Sequence, residues 1–392
     1  MSVRAAVAQA HTDSRAQVVA TLIRVTGDWD LAEDAAQDAL VTALDRWRTD
    51  GIPDNPGAWL LTVARNRALD IVRRRSTEQR KLAELARLPE EPQPPGQDDR
   101  LRLIFTCCHP ALSLEARVAL TLRTVTGMSA ADIARVFLVS ESTMTRRITR
   151  AKTKIAQARI PYRIPAGPEL AERLPSVLGV LYLLFTRGYD TGGAAAFADE
   201  AIRLARLLGR LMPGEGEVRG LLALFLLQHS RRNARQDEHG RPVVLAEQDR
   251  SRWDRAAIEE ALAVLPEPRG PYAVQAAIAA CHVAEETDWA RVAGLYDRLV
   301  SLHPSPVVQL NRALAHGYAH SPARGLALLA RVRAGGGLDG YAPALAVEAD
   351  LTERAGDPGA AARLYESAAA IASTDGEREV LLARARSLRS DR

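Results

Sequence analysis

Only three cysteines, Cys107, Cys108 and Cys281, stand in 392 residues, too few for a disulfide framework, and adjacent Cys107 and Cys108 are poorly placed to bridge each other. That content fits a reduced compartment. Long apolar runs are missing: the longest uncharged one, Val177–Phe185, has nine residues, against the ~18–20 a membrane helix needs, and the N-terminus has no apolar signal segment. The expected location is the cytoplasm, away from membranes. Aromatic residues are sparse at 5% and β-branched runs are short. Ala, Leu and Arg dominate, with apolar residues recurring at spacings near three and four, as in Leu31, Ala35, Ala39, Val41 and Leu44. The spacing predicts an all-α fold.

Candidates for catalysis or ligand chemistry are thin. Gly214-Glu-Gly-Glu-Val-Arg-Gly220 misses the dinucleotide fingerprint and follows no strand. Cys107, Cys108 and His109 cluster, but a structural zinc wants four ligands and no second pair lies nearby, so helix packing is the expected role. His316 and His320 stand four apart, yet no third ligand is evident and Ser321-Pro322 ends the helix. No nucleophile–base pairing is visible. The reading is a non-enzyme, with no cofactor and no metal.

What is present is an uneven charge. The chain is 47% hydrophobic and 26% charged, as expected of a folded protein, and its length predicts two to four domains. Its net charge is only +4, but residues 101–165 carry 11 basic against 3 acidic side chains, while 1–80 are balanced and 81–100 and 166–392 are each at −2. An excess of +8 in 65 residues is the footprint of a small nucleic-acid-binding domain. Residues 1–50 lean acidic and 51–80 basic, which predicts one protein-facing and one DNA-facing surface.

Proline and glycine mark the boundaries. Pro89–Asp99 holds four prolines and four acidic residues without apolar periodicity and reads as an exposed linker, and Pro161, Pro165, Gly167 and Pro168 set off a long C-terminal region. In that region Leu345, Ala349, Gly356, Asp357, Ala361, Tyr365 and Ala368 fall near tetratricopeptide positions, with Tyr296 about two 34-residue periods earlier and Pro304 where a helix should end. Tetratricopeptide-like repeats are expected over about 250–375.

Three segments carry the functional signal. Ile133, Ala134 and Phe137, then Val139, Met144 and Ile148, give a helix-turn-helix pattern. Ser140 is placed to cap the second helix, whose outer face holds Ser142, Thr143, Thr145, Arg146, Arg147 and Arg150, with Lys152 and Lys154 extending the basic run. Leu138 takes the turn position that usually holds glycine. Nearer the N-terminus, Asp34, Gln37 and Asp38 share one helical stripe opposite Leu and Ala. The next helix spaces Arg65, Asn66, Asp70, Arg73 and Arg74 at threes and fours beyond Trp59.

The order of these parts resembles the extracytoplasmic-function group of the sigma-70 family of bacterial transcription initiation factors. Ala32–Asp38, and Trp59–Asn66 with the arginines to Arg74, are similar to that family's regions 2.2 and 2.3–2.4. Arg100–Pro110, Ile160–Pro165, Ser251–Asp254 and Gly270–Tyr272 are similar to the subgroup with a tetratricopeptide-type extension. The resemblance implies two small sigma domains, region 2 over 1–80 and region 4 over 101–165, joined by the acidic linker 81–100 and followed by a helical domain over 166–392. It implies that Asp34, Gln37 and Asp38 dock on the coiled coil of the β′ subunit of core RNA polymerase, that the β subunit is a further partner, and that the linker threads the polymerase's RNA exit path. Trp59, Arg65, Asn66, Asp70, Arg73 and Arg74 would hold the minus-10 element of promoter DNA, and Ser142, Thr143, Thr145, Arg146, Arg147 and Arg150 would read the minus-35 element. The C-terminal domain is expected to contact the sigma domains and regulate them in cis. The alternative is a stand-alone helix-turn-helix regulator with the repeats as sensor, which would have no use for the acidic stripe.

Overall fold

Side chains that cap helices recur along the chain, and each begins a helix where the periodicity starts. The computed structural model describes residues 2–79, 98–137, 139–190 and 195–390. Among these the chain is helical with no strand; an isolated bridge joins Gln236 and Pro242. It forms two compact units, Met1–Leu204 and Ala205–Arg392.

In the first unit, α1 (Val3–Thr26), α2 (Trp29–Thr49) and α3 (Pro56–Gln79) pack on one another. Ser2 caps α1 and Asp28 caps α2, its carboxylate accepting from the Asp30 and Leu31 amides, while Gly27 turns the chain between them at φ 67°. The joint core is built from Val19, Leu22, Ala32, Ala35, Ala39, Ala43, Trp47, Leu60, Ala64 and Ala68. Six alanines among these let the backbones approach closely. Val41, expected on the apolar face, is 56% exposed; the stripe of Ala32, Ala35, Ala39 and Ala43 turns it outward.

After Asp98, which caps it, come α4 (Asp99–Cys107), α5 (Leu114–Thr121) with a wider turn at Leu122–Thr126, α6 (Ala130–Val136) and α7 (Glu141–Gln157). Ser140 caps α7 as expected, accepting from the Thr143 amide. Ile133, Ala134, Met144 and Ile148 are buried between α6 and α7, and Phe137 is half-buried. Leu138 and most of the linker lie outside the described residues.

Next is α8 (Pro168–Asp190), which packs on α4 and α5. Arg173, 5% exposed, donates Nη2 to Phe105 O at 2.6 Å and lays its guanidinium over the Phe105 ring; Ser176 donates to Cys108 O and accepts from Arg117. α9 (Ala195–Leu211) follows.

The second unit contains α10 (Gly216–Ser230), α11 (Arg255–Val264), α12 (Pro271–Val283), α13 (Trp289–Leu302), α14 (Pro306–Ala319), α15 (Pro322–Ala334), α16 (Ala342–Arg354), α17 (Pro358–Ala370) and α18 (Asp375–Ser390). From α12 onward consecutive helices pack as hairpins. Proline opens α12, α14, α15 and α17, where its missing N–H costs nothing. Asp288, Ser305, Ser321 and Asp357 cap α13, α14, α15 and α17. The small-residue reading is seen in α16–α17: Ala349, Ala361, Tyr365 and Ala368 are buried together with Leu345 against them, and Gly356 takes the left-handed turn at φ 93°. α13 ends just before Pro304, and Tyr296 packs into the core between α12, α13 and α14. A Cβ on Gly317 would overlap Leu351. The C-terminal part is thus an α-helical repeat of tetratricopeptide-like hairpins.

Candidate polymerase and DNA interface

The acidic stripe is formed where α2 buries Leu31, Ala32, Ala35, Ala36 and Ala39 and leaves Asp34, Gln37 and Asp38 exposed on the opposite side. Asp38 also accepts from Arg67 Nε at 2.8 Å, a cross-helix pair to α3 that the sequence reading did not find. Both partners are about half exposed, so the pair orients Asp38 more than it stabilises the fold.

On α3, Arg65, Asn66, Asp70, Arg73 and Arg74 are exposed, with Asp70 3.9 Å from Arg73. Trp59 is half-buried, its ring set edge-on against the buried Trp47 at 5.5 Å. That contact anchors α3 to α2 and leaves part of the Trp59 ring outward.

On α7, Ser142, Thr145, Arg146 and Arg150 are exposed; Thr143 and Arg147 are half-buried, Thr143 by its hydroxyl contact to Ser140 and Arg147 over the Phe137 ring. Thr143, Arg146, Arg147, Arg150 and Lys154 face Ser113 and Ala116 across a groove of about 410 Å³. A concave, cationic groove beside a capped helix start suits a phosphate backbone. Thr145 and Ser142 flank it on the same helix.

Lys152 departs from the expected basic run. It turns away from the groove, 13% exposed, with Nζ 2.8 Å from Asp30 and 3.1 Å from Glu33. Helical phase held the signal: eight residues on from Met144 is about 80° round the helix, at the edge of the apolar stripe. Cys107 and Cys108 are buried free thiols in the α4 core, and burial pushes Cys108 up to about 11, so both stay protonated packing groups. His316 is also structural: its Nε2 lies 3.0 Å from Asp297 Oδ1 and His320 stacks beside it at 5.3 Å.

Three family models match this chain: sigma-70 region 2 over residues 12–78, sigma-70 region 4 over 102–155, and a family of unknown function, DUF6596, over 173–268. An uncharacterized protein of Rhizobium meliloti (strain 1021) is 42% identical, the match covering 94% of this chain and 92% of that one. The crystal structure of yeast Tom70 aligns with 94% of this chain and 81% of its own at 13% identity and a TM-score of 0.36. Among the described residues no helix is long and apolar enough to cross a membrane. The two sigma models fall on the helices that present the acidic stripe and the two basic faces, and the chain belongs to the extracytoplasmic-function group of the sigma-70 family, as a sigma factor with a C-terminal helical-repeat extension.

Proposed function

We propose that this protein binds core RNA polymerase through Asp34, Gln37 and Asp38 and directs it to promoters through two DNA elements. The acidic stripe meets the basic coiled coil of the β′ subunit, and the acidic linker follows the polymerase's RNA exit path. Trp59, Arg65, Asn66, Asp70, Arg73 and Arg74 hold the separated strand of the minus-10 element. Unstacking costs a few kcal/mol per flipped base, which stacking and hydrogen bonds to the exposed bases offset. Ser142, Thr143, Thr145, Arg146, Arg147 and Arg150 read the minus-35 element in the major groove.

The observation that carries this reading is the coincidence of the region 2 and region 4 matches with an exposed acidic stripe on α2 and exposed basic faces on α3 and α7. Its activity is binding and not catalysis, exerted in the cytoplasm. The C-terminal repeats regulate the sigma domains in cis. Because Arg173 and Ser176 tie α8 to α4 and α5, the test of that role is a chain ending at Leu211, which keeps α8 and α9. If its polymerase affinity and transcript yield equal those of the full chain, regulation in cis is excluded.

A further inference from the structure

Arg117 of α5 is bonded on three sides. Its Nε donates to Leu112 O at 2.8 Å, its Nη2 to Pro110 O at 3.1 Å and its Nη1 to Ser176 Oγ of α8 at 2.7 Å. All three acceptors are neutral, so the guanidinium keeps its charge while its planar fork fixes three directions at once. Two of those acceptors belong to the turn between α4 and α5. Ala111, Leu112 and Ser113 of that turn, with Ala116, form the wall that faces Arg146, Arg147, Arg150 and Lys154 across the groove. The wall stands where Arg117 holds it.

What holds Arg117 in turn comes from beyond region 4. The last carbonyls of a helix lack partners in their own ladder, and the end of α4 shows where each one goes. Ile104 O accepts from the Cys108 amide and Thr106 O from the His109 amide. Phe105 O accepts instead from Arg173 Nη2 at 2.6 Å, and Cys108 O from the Ser176 hydroxyl at 2.9 Å, both on α8. Arg173 and Ser176 stand three residues apart and so share one face of that helix. Leu174, Val177 and Leu178 are buried beside them. One turn earlier Glu169 accepts from Arg173 at 3.2 Å and from Arg163 at 2.7 Å, which ties α8 to the segment leading out of α7. The Ser176 hydroxyl is thus a relay: it donates to the end of α4 and accepts from Arg117.

We propose that Ser176 and Arg117 are positioning residues for promoter DNA. Through their bond, the first helix after region 4 sets how far the turn stands from α7, and so the width of the groove that receives a phosphate backbone. Neither side chain lines the groove, so each acts through the turn. The proposal rests on the reading of that groove as a DNA surface; the brace itself does not.

The test is a double-mutant cycle in the full chain, read by binding to a pool of random-sequence DNA duplexes and by hydrogen exchange at the Ala111, Leu112 and Ser113 amides. Ser176→Ala should speed exchange there and weaken duplex binding, each about tenfold, with helix content unchanged by circular dichroism. Ser176→Thr, which keeps the hydroxyl, should restore both. Arg117→Lys keeps the charge but loses the fork, and should weaken binding by a similar factor. Because the two residues act through one bond, the double variant should lose about tenfold and not about a hundredfold. Unchanged duplex binding in Ser176→Ala, or losses that multiply to about a hundredfold in the double variant, would overturn the proposal. Faster exchange in Ser176→Ala, in a chain whose unmodified form binds no duplex with or without core polymerase, would support the brace on the turn and overturn the DNA reading of the groove instead.

Discussion

The two compact units handle arginine in opposite ways. In Ala205–Arg392 arginines are tied to a carboxylate on a nearby helix: Arg206 to Glu260, Arg312 to Asp297, Arg333 to Glu348, Arg384 to Glu353 and Arg389 to Glu366. In Met1–Leu204, Arg65, Arg74, Arg146 and Arg150 stand exposed on α3 and α7. Internal pairing neutralises charge within the repeats, while the sigma helices keep cationic faces exposed. Some charges that pair within the first unit, as Glu33 does with Lys152, join region 2 to region 4. Arginine therefore ties helices together in the second unit and also stands exposed on helix faces in the first.

The sharpest break of that contrast is Asp38→Arg. Placing a cation where a basic coiled coil should dock costs several kcal/mol, so core polymerase affinity measured by fluorescence anisotropy should fall by more than ~100-fold, with repeat-unit melting unchanged. The second unit should instead be broken by acid. Burial, reinforced by Arg231, holds His282 down to about 4 from its usual 6.5. A histidine depressed in the folded state is at full strength above its unfolded pKa and loses stability as pH falls toward the folded one. Between pH 6.5 and 4 His282 should withdraw about 3 kcal/mol, and His282→Phe should flatten that part of the pH–stability curve read by urea melts.

Smaller effects sharpen the picture. Arg150→Ala should weaken promoter binding by about tenfold and reduce the slope of log affinity against log salt by about one, as read by filter binding across a salt series. Ser140→Ala removes the cap of α7 and should cost about 1 kcal/mol, a small fall in melting temperature with little change in the salt slope.

Much of this architecture was legible because it is local. Ser140 caps α7 as its place ahead of the periodic run demanded, and Ala349, Ala361, Tyr365 and Ala368 come together because a 3.6-residue period puts them on facing stripes. The acidic stripe on α2 follows from the same arithmetic. What escaped was long-range. Lys152 sits within a run of basic residues that reads as one DNA face, and its partners Asp30 and Glu33 lie some 120 residues earlier; only the tertiary fold brings them together. Arg67 likewise finds Asp38 across 29 residues, and Val41 is exposed because the buried stripe of α2 runs through Leu31, Ala35, Ala39, Ala43 and Trp47. Trp59 divides between both roles, one edge packed on Trp47 and the rest outward.

Whether this chain selects promoters for RNA polymerase is decided by in vitro transcription with purified core polymerase on a genomic promoter library, comparing the full chain with Asp38→Arg and Arg150→Ala. Transcripts should start behind a shared two-part motif, be abolished by Asp38→Arg and be reduced by Arg150→Ala. Absence of such transcripts from the unmodified chain, or transcripts indifferent to Asp38→Arg, would contradict that selection.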